Sequence, residues 1–542
     1  MHKIQPEWCQ ENNMKHASLR IAGFLIFLVF CIPPPLFSQE NTASPEPEFP
    51  SVLELSLTEA IHLALRQNRT IESAYLSRIL ERFRLGQDMT QFSPNLDISP
   101  QASTRTTGTA TNYASDGPDT MRSRTDSAGL SLVSTVSQKI PTGGEIIFAW
   151  ENGFESRYNK TDGSSGETQS GLSQWSVGFR QPLLKDGGLD HNTAPLRRAA
   201  MQEENNIRSL RDTLISTISG VIQDYRTLLS LYQDMEVQED ALSKAREQLE
   251  VTRTMIETGR RAPNEILQSE ANLARQELAF EEAKAQMDDA HLALLQRLEI
   301  SGDTTLVPTE KIIYKSIEPV FEDLMALALE RDNSYLSALT SLEMAKMGLS
   351  DAENQRLWNL DLEGGYKDGW NHRKNDPSYR QEDWWLGLSL KIPLPLYGDQ
   401  KYNREMPLLS ARINLRKANM QLLTARESLE NNVRNAVRQV ASSLRRVELA
   451  SKTRQFSEEN FLVSELQFKL GRISNADFIR EQDKLRDDRL AEIRAIMTYQ
   501  NSLTRLDALL ATTLDTWNIA FVTERTDLEA EYLGNKTWML HR

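Results

Sequence analysis

The two halves of the chain repeat one another. LSLTEAIHLALRQN (55 to 68) followed by FSPNLDIS (92 to 99) is echoed by EPVFEDLMALALERDN (318 to 333) followed by LWNLDLEG (357 to 364), in the same order and at nearly the same spacing. A second pair, TGRRAPNEIL (258 to 267) and LGRISNADFI (470 to 479), joins the end of one long helical run to the start of another in each half. Solenoid units are roughly 20–50 residues long, so repeats this far apart mark a duplicated domain-sized unit. Each copy reads helix, strands, very long helix, turn, helix. That order favours two entangled halves over the three or four domains that a length of 542 residues alone implies.

Ser56 stands three residues before Glu59, a capping box that starts a helix expected to run to about Gln91. From Asn95 the period changes to two, with Leu96 and Ile98 alternating with polar residues. Further strands are expected at 129 to 140, 145 to 154 and 174 to 184, where Ile146, Phe148, Trp150, Trp175, Val177 and Phe179 alternate. IPTGG (140 to 144) reads as a tight turn. Residues 107 to 128 and 157 to 172, rich in Ser, Thr, Gly and Asp, read as long polar loops. In the second half Leu360 and Leu362 begin a strand, 370 to 383 is a loop, and Leu386, Leu388, Leu390 and Ile392 form another strand.

The longest helices are expected at 192 to 257 and 402 to 469, each a rod of roughly 100 Å. Shorter ones at 55 to 91 with 264 to 299, and at 320 to 356 with 474 to 512, match a long rod when two are laid end to end. Leu242, Ala245, Leu249, Thr252 and Ile256 form one seam, and Leu267, Ala271, Ala274, Leu278, Ala285, Leu292 and Leu295 another, for packing against neighbouring helices. The expected division is a first repeat at 55 to 300 (strands 94 to 184), a linker at 301 to 317, a second repeat at 318 to 512 (strands 359 to 396) and a C-terminal extension at 513 to 542.

The N-terminus carries an export signal. Lys15 and Arg20 precede the apolar run 21 to 30, too short to span a bilayer, and a small-residue exit follows at Ser38. Residues 1 to 38 are expected to be a signal peptide, with translation starting at Met14, and 39 to 54 a Pro/Glu/Ser-rich leader. Phe30 argues against lipidation of Cys31. Cys9 and Cys31 both lie in the removable segment, so the mature chain has no thiol for disulfides or thiolate metal sites. A net charge of -14 gives no reason to expect a nucleic-acid partner.

Short turns, polar loops and tryptophans near strand ends suit a transmembrane barrel, although a soluble sandwich shares the alternation. A lone chain offers four to six strands, depending on whether the hairpin 129 to 154 joins the sheet. Membrane barrels start at about eight strands, and open sheet edges are not tolerated in hydrocarbon. The expectation is an α+β membrane protein in which a ring of copies shares one β-barrel, continued by a long α-helical barrel.

The chain resembles the TolC-like outer membrane efflux proteins over essentially its whole mature length. The resemblance rests on LTEAIHLAL (57 to 65) with FSPNLDIS, on QPLLKDGG (181 to 188) echoed by IPLPLYGD (392 to 399), and on Gly259 six before Glu265 and Gly471 six before Asp477. It implies a homotrimer with a barrel in outer membrane lipid and a periplasmic helical tunnel, acting as the exit duct of a tripartite efflux pump with a periplasmic adaptor and an inner-membrane pump. Type I protein secretion is the alternative within the class, and a periplasmic coiled-coil scaffold the alternative outside it. The family usually offers two strands per half, so 129 to 154 is a departure.

Gly259 and Gly471 read as helix C-caps, Asn264 as a cap and Ser474 with Asp477 as a capping box. The resemblance places these turns, Gly259, Asn264, Glu265, Gly471, Ser474 and Asp477, at the adaptor-docking tips. It matches Asp477 to an acid of the tunnel entrance, with Arg480 replacing a second family acid, so Asp–Arg pairs between subunits are expected. Trp150, Trp175, Trp384 and Trp385 are candidates for an aromatic girdle. No catalytic, cofactor or metal site is expected: there is no phosphate-binding, HExxH or dinucleotide motif, and His62, His191, His291, His372 and His541 lack ligand spacing.

Overall fold

The computed structural model describes residues 52–112, 120–161, 164–302, 304–374, 376–392 and 399–523. The expected signal peptide with Cys9, Met14 and Cys31, most of the leader, most of the IPLPLYGD motif and the C-terminal extension beyond 523 lie outside the described residues. In chain order the elements are β1 (Val52–Leu55), α1 (Leu57–Gln67), α2 (Arg69–Met89), β2 (Asn95–Asn112), β3 (Thr120–Lys139), β4 (Glu145–Thr161), β5 (Ser164–Pro182), α3 (Leu189–Glu257), α4 (Glu265–Leu298), β6 (Thr305–Pro308), α5 (Phe321–Arg331), α6 (Asn333–Asn354), β7 (Asn359–Arg373), β8 (Tyr379–Lys391), α7 (Asp399–Lys469) and α8 (Asn475–Leu509). The described chain divides into a sheet unit, 87–197 with 347–411, and a helical unit, 52–86 with 198–346 and 412–523.

In the helical unit Ser56 caps α1 through a complete capping box: its hydroxyl accepts from the Glu59 amide and Glu59 Oε2 accepts from the Ser56 amide at 2.8 Å. The helix expected to run on to Gln91 breaks at Asn68, whose Oδ1 accepts from the Thr70 and Ile71 amides. The helix expected over 320 to 356 breaks likewise at Asp332, whose Oδ1 accepts from the Tyr335 amide at 2.7 Å. A short polar side chain thus ends one helix and caps the next, an alternative that an apolar period running across the break conceals.

Asn68 and Asp332 stand 264 positions apart, as do the strand starts Asn95 and Asn359, whereas Gly259 and Gly471 stand 212 apart. The difference of 52 residues accommodates the hairpin β3–β4 in the first repeat. β1 and β6, read from sequence as leader and linker, pair in parallel from Val52↔Thr305 to Leu55↔Pro308. Ile61, Ile218, Ile222, Leu294, Leu298 and Leu306 belong to one buried cluster, and Leu429, Val433, Val440, Val447 and Tyr499 to a second.

The expected seam on α3 is inward where Leu242, Ala245 and Thr252 are buried. The seam on α4 divides: Leu295 is buried in the first cluster as expected, but Leu267, Leu278 and Leu292 are 66%, 61% and 49% exposed, while Ser269, Asn272 and Gln276 are buried. The reason is a polar ladder. Gln276 Nε2 donates to Asp483 Oδ1 and Asn475 Nδ2 to Ser269 Oγ, so the first part of α4 presents its polar stripe to α8 and leaves Leu267 and Leu278 uncovered within one chain.

The sheet unit is a single antiparallel sheet in the order β2-β3-β4-β5-β7-β8. The hairpin around IPTGG belongs to it, which fixes the strand number at six. The strands are longer than expected, and the polar loops assigned to 107 to 128, 157 to 172 and 370 to 383 are largely strand. Ser and Thr on both faces erase the period of two without preventing pairing. At the IPTGG turn, Gly143 has φ +92, and a Cβ there would lie 2.2 Å from Asp186 O. The Gly188 amide donates to Thr142 O at 3.0 Å, so the turn is seated on the QPLLKDGG segment that leads into α3.

Candidate functional site: the two-faced sheet and the helix turns

Residues paired across a sheet share a face, and neighbours along a strand take opposite faces. One rung runs Leu96, Val136, Phe148, Val177, Tyr366, Trp384. The same face carries Ile98, Leu132, Trp150, Trp175, Phe179, Leu386, Leu388 and Leu390, exposed by 39% to 66%. The opposite face carries Asp97, Arg105, Glu151, Glu155, Arg157, Lys367, Asp383 and Lys391, together with Arg180, which bridges to Asp361 at 3.1 Å and Glu363 at 3.5 Å. One side is fit for hydrocarbon and the other for water, which is the pattern of a membrane barrel wall.

Trp150 and Trp175 are register partners on the apolar face, and Trp384 lies on that face too. Trp385 does not: it points to the polar face, where its indole covers Gly365 so closely that a Cβ there would lie 2.4 Å from the ring. Strand alternation forbids two consecutive tryptophans from sharing one lipid-facing girdle. Nor do these residues sit at strand ends, because β4, β5 and β8 extend beyond them. Asp368, next to Trp175 on the apolar face, is held by both Arg380 Nε (2.9 Å) and Nη2 (2.8 Å).

The two helix turns are built alike. Gly259 and Gly471 both have φ +71. The amides of Gly259 and Arg260 donate to Ile256 O and Met255 O, and those of Gly471 and Arg472 to Phe468 O and Gln467 O, the paired bonds of a Schellman motif. Ser474 caps α8, its Oγ accepting from the Asp477 amide at 3.1 Å and donating to Asp477 Oδ2 at 2.6 Å. The Ser474 hydroxyl, helped by Arg480, lowers the Asp477 carboxyl below its ordinary range. Arg480 Nη2 meets Asp477 Oδ1 at 3.2 Å within one turn of the same helix, so the pair forms inside a single chain. Asn264 occupies the N-cap position of α4 but makes no side-chain capping bond, because its own backbone is already helical. Glu265 pairs with Arg261 at 3.4 Å.

Two features below these turns were not read from sequence. Arg261 lies over the Phe468 ring at 5.1 Å and donates to Ile473 O, tying the first turn to the second, while Phe468 stacks on Phe478 at 4.6 Å. Gln248 Nε2 donates to Asn475 Oδ1 at 2.6 Å, and the fully buried Asn475 bonds Ser269 and Glu265 O. Polar residues at buried seam positions were the only available signal. Three of the described histidines have structural partners: His191 with Asp351 (3.0 Å), His291, which accepts from the Leu306 amide (2.9 Å), and His372 with Ser378 (2.7 Å). Among the described residues no group of His, Cys, Asp and Glu could hold a metal ion, and no helix is long and apolar enough to cross a membrane.

A sheet with one oily and one wet face, joined in sequence to paired long helices, defines the class of outer membrane ducts. The family profile described as "Outer membrane efflux protein" matches residues 153–298 and 324–512, and the chain belongs to that family. It is an outer membrane exit duct of the kind that serves efflux pumps. Among solved structures it is similar to the Campylobacter jejuni CmeC outer membrane channel (15% identity, 84% of this chain and 85% of that one, TM-score 0.59). It is also similar to the outer membrane protein VceC of Vibrio cholerae (15%, 86% and 97%, 0.58) and to the open state of the Neisseria gonorrhoeae MtrE outer membrane channel (13%, 84% and 89%, 0.58). No curated protein matches the chain.

Proposed function

We propose that three copies of this chain form one channel in the outer membrane that passes small molecules or ions out of the periplasm. The observation that carries this reading is the sheet: six strands, an exposed apolar face, a charged opposite face, and strands β2 and β8 each paired on one side only among the described residues. An open edge cannot stay in hydrocarbon, so the strands must be pooled between copies. The uncovered apolar stripe of α4 supports the same association in the helical unit.

In this reading the turns around Gly259, Asn264, Glu265, Gly471, Ser474 and Asp477 form the periplasmic tips that dock an adaptor protein, and an inner-membrane pump supplies the energy. A ring of three Asp477 carboxylates, ionised over a wider acid range because Ser474 and Arg480 lower them, gathers cations at the entrance. The test is single-channel recording in planar bilayers. Asp477→Asn should weaken cation preference, and Arg480→Ser, which removes the neutralising partner, should strengthen it. Unchanged current and cation block in both would overturn the entrance assignment.

A further inference from the structure

The two outer strands of the sheet are complementary to each other in a particular register. β8 is exposed along its whole length, and β2 from residue 95 to 109. The six strands alternate in direction, so β8 of one copy meets β2 of the next antiparallel. We propose that β8 pairs with β2 of a neighbouring copy so that Ser389 lies opposite Ser99, Lys391 opposite Asp97 and Asp383 opposite Arg105. This rests on the shared-barrel reading above.

Three observations select that register. The apolar faces must coincide, and they carry the even-numbered residues of both strands, Leu96 and Ile98 on β2 and Trp384 to Leu390 on β8; a one-residue slip would put leucines in the lumen. The slope of the sheet narrows the choice. Within one chain the rung through Trp384 ends at Leu96, and in the proposed register Trp384 meets Thr104 of the next copy, an advance of eight positions per chain. Eight residues at about 3.3 Å rise over six strand spacings of about 4.8 Å, which gives a strand tilt of about 42°. Membrane barrels tilt by about 35–45°, a range that the register two residues longer exceeds at about 49° and the one two residues shorter just reaches at about 35°.

Charge then decides between the two that remain. The shorter register sets Lys391 against Asn95 and Asp383 against Ser103, and the longer sets them against Ser99 and Thr107. Only the proposed register gives both side chains an opposite charge, and opposite charges directly across an antiparallel pair are favourable while unmatched ones gain nothing. Three sheets of six strands then close as an eighteen-stranded barrel, a size at which membrane barrels keep an aqueous passage.

Disulfide trapping tests this. In full-length protein with Cys9 and Cys31 replaced by Ser, directly opposed residues have Cβ atoms close to disulfide distance. Ser99→Cys with Ser389→Cys should give disulfide-linked dimers and trimers on mild oxidation, several-fold more than Asp97→Cys or Gln101→Cys each combined with Ser389→Cys. Trimers that cross-link best through a shifted pair would overturn the register and leave the channel reading standing. Intact trimers in which no pair links would overturn edge-to-edge pairing, and single-chain particles would overturn both. As a second variant, Lys391→Glu should lower the temperature at which the trimer dissociates in SDS, and adding Asp97→Lys should restore it. No restoration counts against the register.

Discussion

Gly143 and Gly259 both hold left-handed backbone, but a methyl group meets different surroundings at each. At Gly259 nothing lies within 4 Å of an added Cβ, so Gly259→Ala should cost only the conformational penalty, on the order of 1 kcal/mol. At Gly143 the same φ problem is joined by a clash with the Asp186 backbone oxygen, which cannot swing aside. Gly143→Ala should therefore lower the thermal midpoint clearly more than Gly259→Ala. Asp212 makes a second prediction. Burial raises its carboxyl above the ordinary value of 3.8, with Asp332 adding to the effect, while Asn333, donating at 2.7 Å, opposes it. An acid with a raised folded pKa stabilises the fold fully below its unfolded value and loses that contribution as pH rises through the folded value. Asp212→Asn, which keeps an acceptor for Asn333, should melt higher than wild type at neutral pH, and the gap should close below pH 3.8.

Strands and helices differ in how much of them could be read in advance. Trp384 and Trp385 were placed together as girdle residues, and the register separates them. Replacing Trp384 with Phe should remove part of the fluorescence that brominated lipid quenches, whereas replacing Trp385 should leave that part intact; equal losses would contradict the assigned faces. The sequence revealed the strands where Leu, Phe and Trp alternate, because there the two faces meet different solvents. It hid them over 107 to 112, 120 to 128, 157 to 161 and 164 to 172, where Ser and Thr are frequent and pairing is set by neighbouring strands instead. The helix turns were legible from Gly259, Gly471 and Ser474, whose chemistry is local. Asn264 misled, since a capping residue type does not cap from a helical backbone. The α4 seam was read as a stripe for packing against neighbouring helices; within one chain only its end at Leu295 is covered, because an apolar stripe says that something covers it, not which surface does.

For the whole molecule, one chain cannot satisfy both its sheet and its solvent. A free strand edge beside an apolar face demands either another strand or water, and the exposed leucines of β8 and α4 argue against water. The duplicated architecture, the family profile and the six-stranded sheet support the proposed shared barrel, in which the added hairpin β3–β4 would widen the wall. The most direct test is the protein mass of the detergent-extracted particle, measured by light scattering with the detergent contribution subtracted. Three chains per particle is the predicted result, and a stable particle containing a single chain would contradict the account.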